Sequence, residues 1–143
     1  MTTQVAVMTQ EWTRSLPNVG PETEPYWSAC REGKLIVQRC RQCSKYQTYY
    51  RSFCCHCWSN DVEDVVASGR GNVWACTVTY QNQTPGWADQ VPYVLAGVEL
   101  EEGPKLITNI INCVPDSVHV GMPVKVTFVK ATEEITIPFF EPQ

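Results

Sequence analysis

Four of the eight cysteines have a spacing that could bind a metal ion. Cys40 and Cys43 form one C-x-x-C pair, and Cys54 and Cys57 form a second pair after ten intervening residues. Two residues between cysteines allow a tight turn that directs both sulfurs at one ion, and a second such turn completes a tetrahedron of thiolates. Four thiolates leave no open coordination position, so the pattern predicts a structural zinc site rather than a catalytic one. Spacing alone leaves rubredoxin-type iron as an alternative metal.

The other cysteines are less favoured as metal ligands. Cys55 and His56 lie inside the second pair and could compete as ligands, although we interpret them as solvent-facing residues of the turn. Cys30, Cys76 and Cys113 lie in predicted helix or strand contexts, and we interpret them as small hydrophobic residues of the core.

Basic residues are concentrated around the cysteine pairs. Six of the eleven lysines and arginines lie between residues 31 and 51, where Glu32 is the only acidic residue. They are Arg31, Lys34, Arg39, Arg41, Lys45 and Arg51. Two interpretations stay open: the charge compensates an anionic four-thiolate centre, or it forms a seat for an anion such as cofactor phosphates or an acidic partner surface.

A tryptophan in a polar loop is the other candidate binding residue. Trp87 follows Pro85-Gly86 in the segment 81–91, where its large apolar ring is left in water unless something covers it. The ring either packs back onto its own domain or anchors a ligand or partner.

The elements that position these residues are a helix, a ribbon and a barrel. Thr23 as N-cap, Pro25 in the first turn and Gly33 as the stop predict a short helix over residues 24–32. Strand patterns cover residues 72–80, 92–101, 105–112, 123–130 and 134–138, with a helical turn predicted at 115–119. Five uneven strands with a long first loop predict a barrel of the OB type.

The predicted fold class is therefore mainly β: a short N-terminal helix, a rubredoxin-like zinc ribbon and a five-stranded OB-fold barrel. We expect an extended arm over residues 1–21, the helix and ribbon over 22–61, and the barrel over 62–143. Residues 62–67 are a short mixed segment at the start of the last region.

Composition and missing motifs narrow the function. The chain has 143 residues, 43% of them hydrophobic, and no apolar run long enough to span a membrane. The first residues have no secretory signal pattern, so we expect a cytoplasmic location. A net charge of −4 argues against a general nucleic-acid binder. No Ser-His-Asp set at a recognisable spacing, P-loop, H-E-x-x-H motif or dinucleotide fingerprint is present.

Short motifs spread over residues 22–140 resemble the zinc-ribbon/OB-fold proteins of the DUF35 family. Those of the helix and ribbon are Pro25-Tyr26-Trp27, Arg31-Glu32-Gly33-Lys34-Leu35, Gln38-Arg39-Cys40-Arg41-Gln42-Cys43 and Cys54-Cys55-His56-Cys57. Those of the barrel are Ser68-Gly69-Arg70-Gly71, Thr84-Pro85-Gly86, Val91-Pro92-Tyr93, Leu106-Ile107-Thr108-Asn109 and Gly121-Met122-Pro123-Val124. One departure is Tyr49-Tyr50-Arg51, which stands where family members often carry Pro-Pro-Arg.

The resemblance implies a non-catalytic accessory subunit. Proteins of this family partner thiolase-like enzymes that form or cleave C–C bonds in acyl-CoA thioesters, including thiolases and retro-aldolases of aromatic, steroid or other bulky acyl chains. It therefore implies structural Zn²⁺, a hetero-oligomer with a catalytic partner, and coenzyme A thioester bound together with that partner. The residues we expect at the partner or CoA surface are Arg39, Arg41, Tyr50, Arg51 and Trp87.

Two other functions are compatible with these elements. A zinc ribbon and an OB barrel could bind single-stranded nucleic acid, with Tyr46, Tyr49 and Tyr50 stacking on bases, although the barrel strands are acidic. Rubredoxin-like electron transfer would require iron in the four-cysteine site and would leave the barrel without a purpose.

Overall fold

The computed structural model describes residues 12–143, so residues 1–11 of the predicted arm lie outside the described residues. The helix and the strands, in chain order, are α1 (Glu24–Arg31), β1 (Ile36–Cys40), β2 (Tyr46–Gln47), β3 (Val62–Val66), β4 (Arg70–Thr79), β5 (Tyr93–Leu100), β6 (Lys105–Ile110), β7 (Pro123–Lys130) and β8 (Thr136–Pro142). Short 3₁₀ helices cover Ala88–Gln90 and Pro115–Ser117. Among these described helices, none is long and apolar enough to cross a membrane.

Helix α1 ends in a hydrogen-bonded turn that leads directly into the ribbon. Gly33 adopts a φ of 75°. Its N–H donates to the carbonyl of Cys30 at 3.0 Å, and the N–H of Lys34 donates to that of Ala29 at 2.9 Å. This pair of bonds is a Schellman motif, which favours glycine at the left-handed position. Thr23 occupies the N-cap position, but its side chain makes no capping hydrogen bond.

The first sheet has three antiparallel strands in the order β2-β1-β3. Strand β1 pairs with β2 through Gln38 and Gln47, and with β3 from Ile36 opposite Val66 to Cys40 opposite Val62. The short segment that begins at residue 62 thus pairs with the cysteine-bearing ribbon. The boundary between ribbon and barrel regions at residues 61 and 62 stays a prediction.

The remaining five strands form a closed barrel in the order β4-β5-β6-β8-β7, and β7 pairs back to β4. This topology, together with the single helix and the cysteine cluster, confirms the predicted fold class. Strand β8 runs beyond the predicted end at Pro138 because Phe139 and Phe140 are buried, with 6% and 1% exposure. The strand contains two prolines, and proline is unusual within a sheet, so the sequence pattern does not predict its last residues.

One continuous core joins the helix, the ribbon and the barrel. It contains Cys30, Leu35, Val37, Ala67, Val73, Val94, Ala96, Val98, Leu100, Ile110, Val124, Phe128 and Phe140. Two hydrogen bonds also connect the ribbon to the barrel. The Thr48 hydroxyl donates to the carbonyl of Lys105 at 2.6 Å, and the Tyr49 hydroxyl accepts the N–H of Ile107 at 3.0 Å. The loop after β2 is therefore fixed against the barrel strand β6.

Candidate metal centre and apolar groove

The four predicted ligand sulfurs converge on one point. The Sγ atoms of Cys40, Cys43, Cys54 and Cys57 all lie within 4.8 Å of one another. The Sγ atoms of Cys40 and Cys57 are 3.6 Å apart, as are those of Cys43 and Cys54. A zinc–sulfur bond of about 2.3 Å in a regular tetrahedron places sulfurs about 3.8 Å apart. The cluster therefore fits one tetrahedral ion without rearrangement.

The two cysteine turns share one backbone geometry. Ser44 adopts a φ of 65° and Trp58 a φ of 67°, both in the left-handed region. The N–H of Ser44 donates to the carbonyl of Cys40, and the N–H of Trp58 donates to that of Cys54, each at 2.9 Å. Non-glycine residues in this region carry strain, which a bound ion that fixes both turns would offset.

Backbone N–H groups favour the thiolate form that a metal requires. The N–H groups of Cys43 and Gln42 both lie 3.4 Å from the Sγ of Cys40. The hydrogen bond from Cys43 is the main cause that lowers the pKa of the Cys40 thiol. In the second turn the N–H of His56 lies 3.3 Å from the Sγ of Cys54. Each turn thus directs backbone dipoles at its first sulfur.

Two buried glutamine side chains position the second cysteine turn. Gln38 and Gln47 are each only 3% exposed. The Nε2 of Gln47 donates to the Oε1 of Gln38 and to the carbonyl of Phe53, both at 2.9 Å, and its Oε1 accepts the N–H of Cys55 at 2.8 Å. Gln38 donates to the carbonyl of Arg51 at 2.7 Å and accepts its N–H at 3.1 Å. No signal in the sequence marks this pair, because a single glutamine has no characteristic spacing or pattern.

The other cysteines take the places that the sequence interpretation gave them. Cys55 is exposed and lies outside the sulfur cluster, and His56 is exposed with its Nε2 3.2 Å from the carbonyl of Tyr46. Cys30 is fully buried, whereas Cys76 and Cys113 are half-buried and pack against the core.

Carboxylates at and just before the start of β3 neutralise two arginines of the ribbon: Arg39 in β1 and Arg41 directly after that strand. Arg41 binds Asp61 at 3.1 Å and Glu63 at 3.3 Å, and Arg39 lies 3.6 Å from the other oxygen of Glu63. The hydrogen bond with Asp61 is the main cause that raises the pKa of Arg41. Antiparallel pairing sets Glu63 opposite Arg39 although the two are 24 residues apart in the sequence, so the charges that neighbour Arg39 along the chain do not reveal this pair. These two arginines therefore form an ion-pair network on the ribbon rather than an unpaired, cationic anion-binding site.

The Tyr49-Tyr50-Arg51 loop is held in place by its own backbone. The Arg51 guanidinium donates to the carbonyl of Tyr49 at 2.9 Å and to that of Thr48 at 3.3 Å. The Tyr50 hydroxyl donates to Asp64 at 2.8 Å. Burial, followed by this contact, raises the pKa of Tyr50 to about 12. The loop therefore presents Tyr49, which is 58% exposed, from a fixed support.

Trp87 packs back onto the barrel and onto the N-terminal arm. Its ring centroid lies 5.0 Å from that of Tyr93, and the guanidinium of Arg14 lies 5.2 Å from it. The Thr13 hydroxyl donates to the carbonyl of Gly86 at 3.2 Å. A Cβ at Gly86, which has a φ of 85°, would overlap the Thr13 backbone. Residues 13 and 14 thus lie directly on the loop that carries Trp87.

An apolar groove lies between α1, the tyrosine loop and β6. Its volume is about 340 Å³. Tyr26, Trp27, Tyr49, Tyr50 and Ile107 are among the residues that line it. The sequence contained these aromatic pairs as separate motifs, and only the fold brings them together.

Two family models match successive parts of the chain. The ChsH2 rubredoxin-like zinc ribbon domain matches residues 27–63, and the ChsH2 C-terminal OB-fold domain matches residues 64–129. A DUF35 domain-containing scaffold protein of Methanocaldococcus jannaschii is 33% identical over 101 residues, which are 70% of this chain and 71% of the relative. The chain belongs to the DUF35 family. The zinc ribbon match and the sulfur cluster together support a structural zinc in this DUF35 protein.

Two further similarities are to chains whose descriptions place them in enzymes, one a hydratase and the other an aldolase. A probable enoyl-CoA hydratase alpha subunit of Thermomonospora curvata is 34% identical over 129 residues, or 90% of this chain. The chain spans only 40% of the length of that relative. A solved structure described as an Ltp2-ChsH2(DUF35) aldolase contains a chain that is 34% identical, with a TM-score of 0.78. That similarity covers 89% of this chain and 98% of the other.

Proposed function

We propose that this chain is a non-catalytic, zinc-stabilised subunit of a cytoplasmic complex that acts on acyl-CoA thioesters. The observation that carries the proposal is the similarity over 98% of the DUF35 chain of an aldolase complex. The thiolase-like partner supplies the catalytic groups and forms or cleaves the C–C bond, and the acyl chain is bulky, such as an aromatic or steroid one. The name of the hydratase relative makes a hydratase the alternative partner.

Zinc in this proposal has a structural role. Cys40, Cys43, Cys54 and Cys57 would hold it, and a four-thiolate ion offers no open position to a substrate. The ion would tie the second cysteine turn to the end of β1, and the two glutamines would hold the loop that connects β2 to that turn. The ribbon is thereby fixed as a rigid support for the tyrosine loop.

The groove beside that loop is the surface that we assign to the partner and the acyl-CoA. Tyr50 lines the groove and Arg51 immediately follows it, so these predicted contacts lie together. Arg39 and Arg41 lie on the ribbon in ion pairs, where they suit a polar rim of a protein interface. Trp87, the remaining predicted contact, does not line this groove and packs against Tyr93 and Arg14 instead.

The test is an activity measurement on the captured complex. An affinity-tagged chain is purified gently from its host, and the eluate is assayed for cleavage of aromatic and steroid acyl-CoA thioesters. We expect activity in the captured complex and none in the chain purified alone. Hydration of enoyl-CoA without C–C cleavage would replace the thiolase-like partner by a hydratase. Recovery of the chain alone or with nucleic acid would contradict the proposal.

A further inference from the structure

A second cavity lies between the N-terminal arm, which contributes Arg14, and the barrel loop that carries Trp87. Its volume is about 300 Å³, and it is separate from the groove that we assign to the partner. Arg14 and Trp87 line it together with Tyr93 and Phe139. Its size lies at the lower end of the range for small-molecule sites, and its walls are mostly aromatic and aliphatic.

Arg14 places a positive charge among the aromatic side chains of this cavity. Its guanidinium carbon lies 3.8 Å from the ring centroid of Trp12, 5.2 Å from that of Trp87 and 5.4 Å from that of Phe139. Within residues 12–143, no hydrogen bond or carboxylate partner is found for this side chain. Burial lowers the pKa of the Arg14 guanidinium from its ordinary value. A partly desolvated guanidinium, whose five N–H donors have no partner among residues 12–143, attracts an anionic group.

The rest of the cavity wall is neutral. No aspartate or glutamate of the described chain lines it, although the protein carries a net charge of −4. Gln90, Asn109 and Asn112 provide amides. Glu141 approaches from outside, where it accepts the Asn112 amide at 2.6 Å and lies 3.9 Å from Lys125. Among the described residues, Arg14 is thus the one charged side chain that lines the cavity.

We propose that this cavity binds a small organic monocarboxylate, with its carboxylate on Arg14 and its flat apolar body against the rings of Trp87 and Tyr93. The planar guanidinium matches a carboxylate through two parallel hydrogen bonds. A single cation balances one negative charge, whereas a phosphate dianion would need further donors. The site lies on this chain alone, so it goes beyond the proposed function and does not depend on a partner.

Titration of the zinc-loaded full-length chain with benzoate tests the site. Isothermal calorimetry measures binding, and the neutral isostere benzamide is titrated in parallel. We expect saturable binding of benzoate and at least about tenfold weaker binding of benzamide, since the charged contact is lost. Equal binding of both compounds, or no saturable binding of benzoate, overturns the proposal. This comparison uses the unaltered protein and so needs no variant to fold.

Two variants locate the site. Arg14→Met removes the charge and keeps much of the side-chain length, and Arg70→Met removes an exposed arginine of β4 that does not line the cavity. We expect benzoate binding to fall by at least about tenfold in Arg14→Met and to stay unchanged in Arg70→Met. Unchanged binding in a folded Arg14→Met overturns the proposal. Loss of partner capture by Arg14→Met, without benzoate binding to the unaltered chain, would also overturn it and assign Arg14 to a partner carboxylate.

Discussion

At the scale of single residues, the four ligand cysteines can be separated from the neighbouring Cys55 by substitution. Cys43→Ser removes one ligand of a site that should contribute about 10 kcal/mol or more to folding, as structural zinc does in small domains. We expect loss of bound zinc and loss of hydrogen-exchange protection in β1 and β2. Cys55→Ser is the matched control and should keep both. A Cys43→Ser chain with its zinc and a protected ribbon would contradict a structural metal site.

Cys30 gives a prediction about pH. Burial raises the pKa of its thiol from the ordinary value of 9.0 to about 12. The thiolate is the reactive form, so Cys30 should resist iodoacetamide at pH 8 in the folded chain and react once the chain is unfolded. Because the raised pKa belongs to the folded state, its stabilising contribution is complete below pH 9 and is lost as the pH rises toward 12. Rapid labelling of Cys30 in the folded chain would refute its burial.

The Gln47 side chain is expected to stabilise the fold and the zinc site. Gln47→Leu removes the half-buried hydrogen bonds to the carbonyl of Phe53 and from the N–H of Cys55, at about 1 kcal/mol for each bond. We expect a lower free energy of unfolding and weaker zinc retention against a chelator. Gln42→Leu, at an exposed position of the first turn, is the control. Equal zinc retention and stability in the two variants would show that Gln47 does not position the second turn.

At the scale of elements, local sequence signals predicted where the helix and most strands lie. They did not predict which distant strands pair with each other. The helix was expected over residues 24–32 and covers Glu24–Arg31, because proline and glycine mark its ends locally. The carboxylate partners of Arg39 and Arg41 are Glu63 of β3 and Asp61, which directly precedes that strand, and only the fold brings β3 beside β1. Those pairs also remove two of the charges on which the nucleic-acid alternative depended.

The groove between α1 and β6 gives a prediction about assembly. Ile107 lines it and is 58% exposed, so Ile107→Glu should fold normally while placing a charge on the surface assigned to the partner. We expect partner affinity to fall at least about tenfold, because burial of an unpaired charge is costly. Val120→Glu, at a similarly exposed valine outside the groove, is the matched control. Equal capture of the partner by both variants would place the interface elsewhere.

At the scale of the whole molecule, the cysteine spacing and the strand series were enough to predict the architecture. The alternation of side chains along the sequence and the turn residues mark where each strand lies. A small core limits the ways in which five strands can close into a barrel. The shared core was not predictable in detail, since Leu35 and Val37 of the ribbon meet Phe140 of the barrel across about a hundred residues. The groove and the Arg14 cavity are products of those long-range contacts, which no local pattern encodes.

The central claim is that this chain is a zinc-bearing subunit of an acyl-CoA enzyme complex. Native mass spectrometry of the complex captured from the host tests it most directly, because one spectrum reports both the partner and the metal. We predict a defined hetero-oligomer that contains a thiolase-sized partner at a fixed ratio and one zinc ion for each copy of this chain. A metal-free chain without a protein partner would contradict the account.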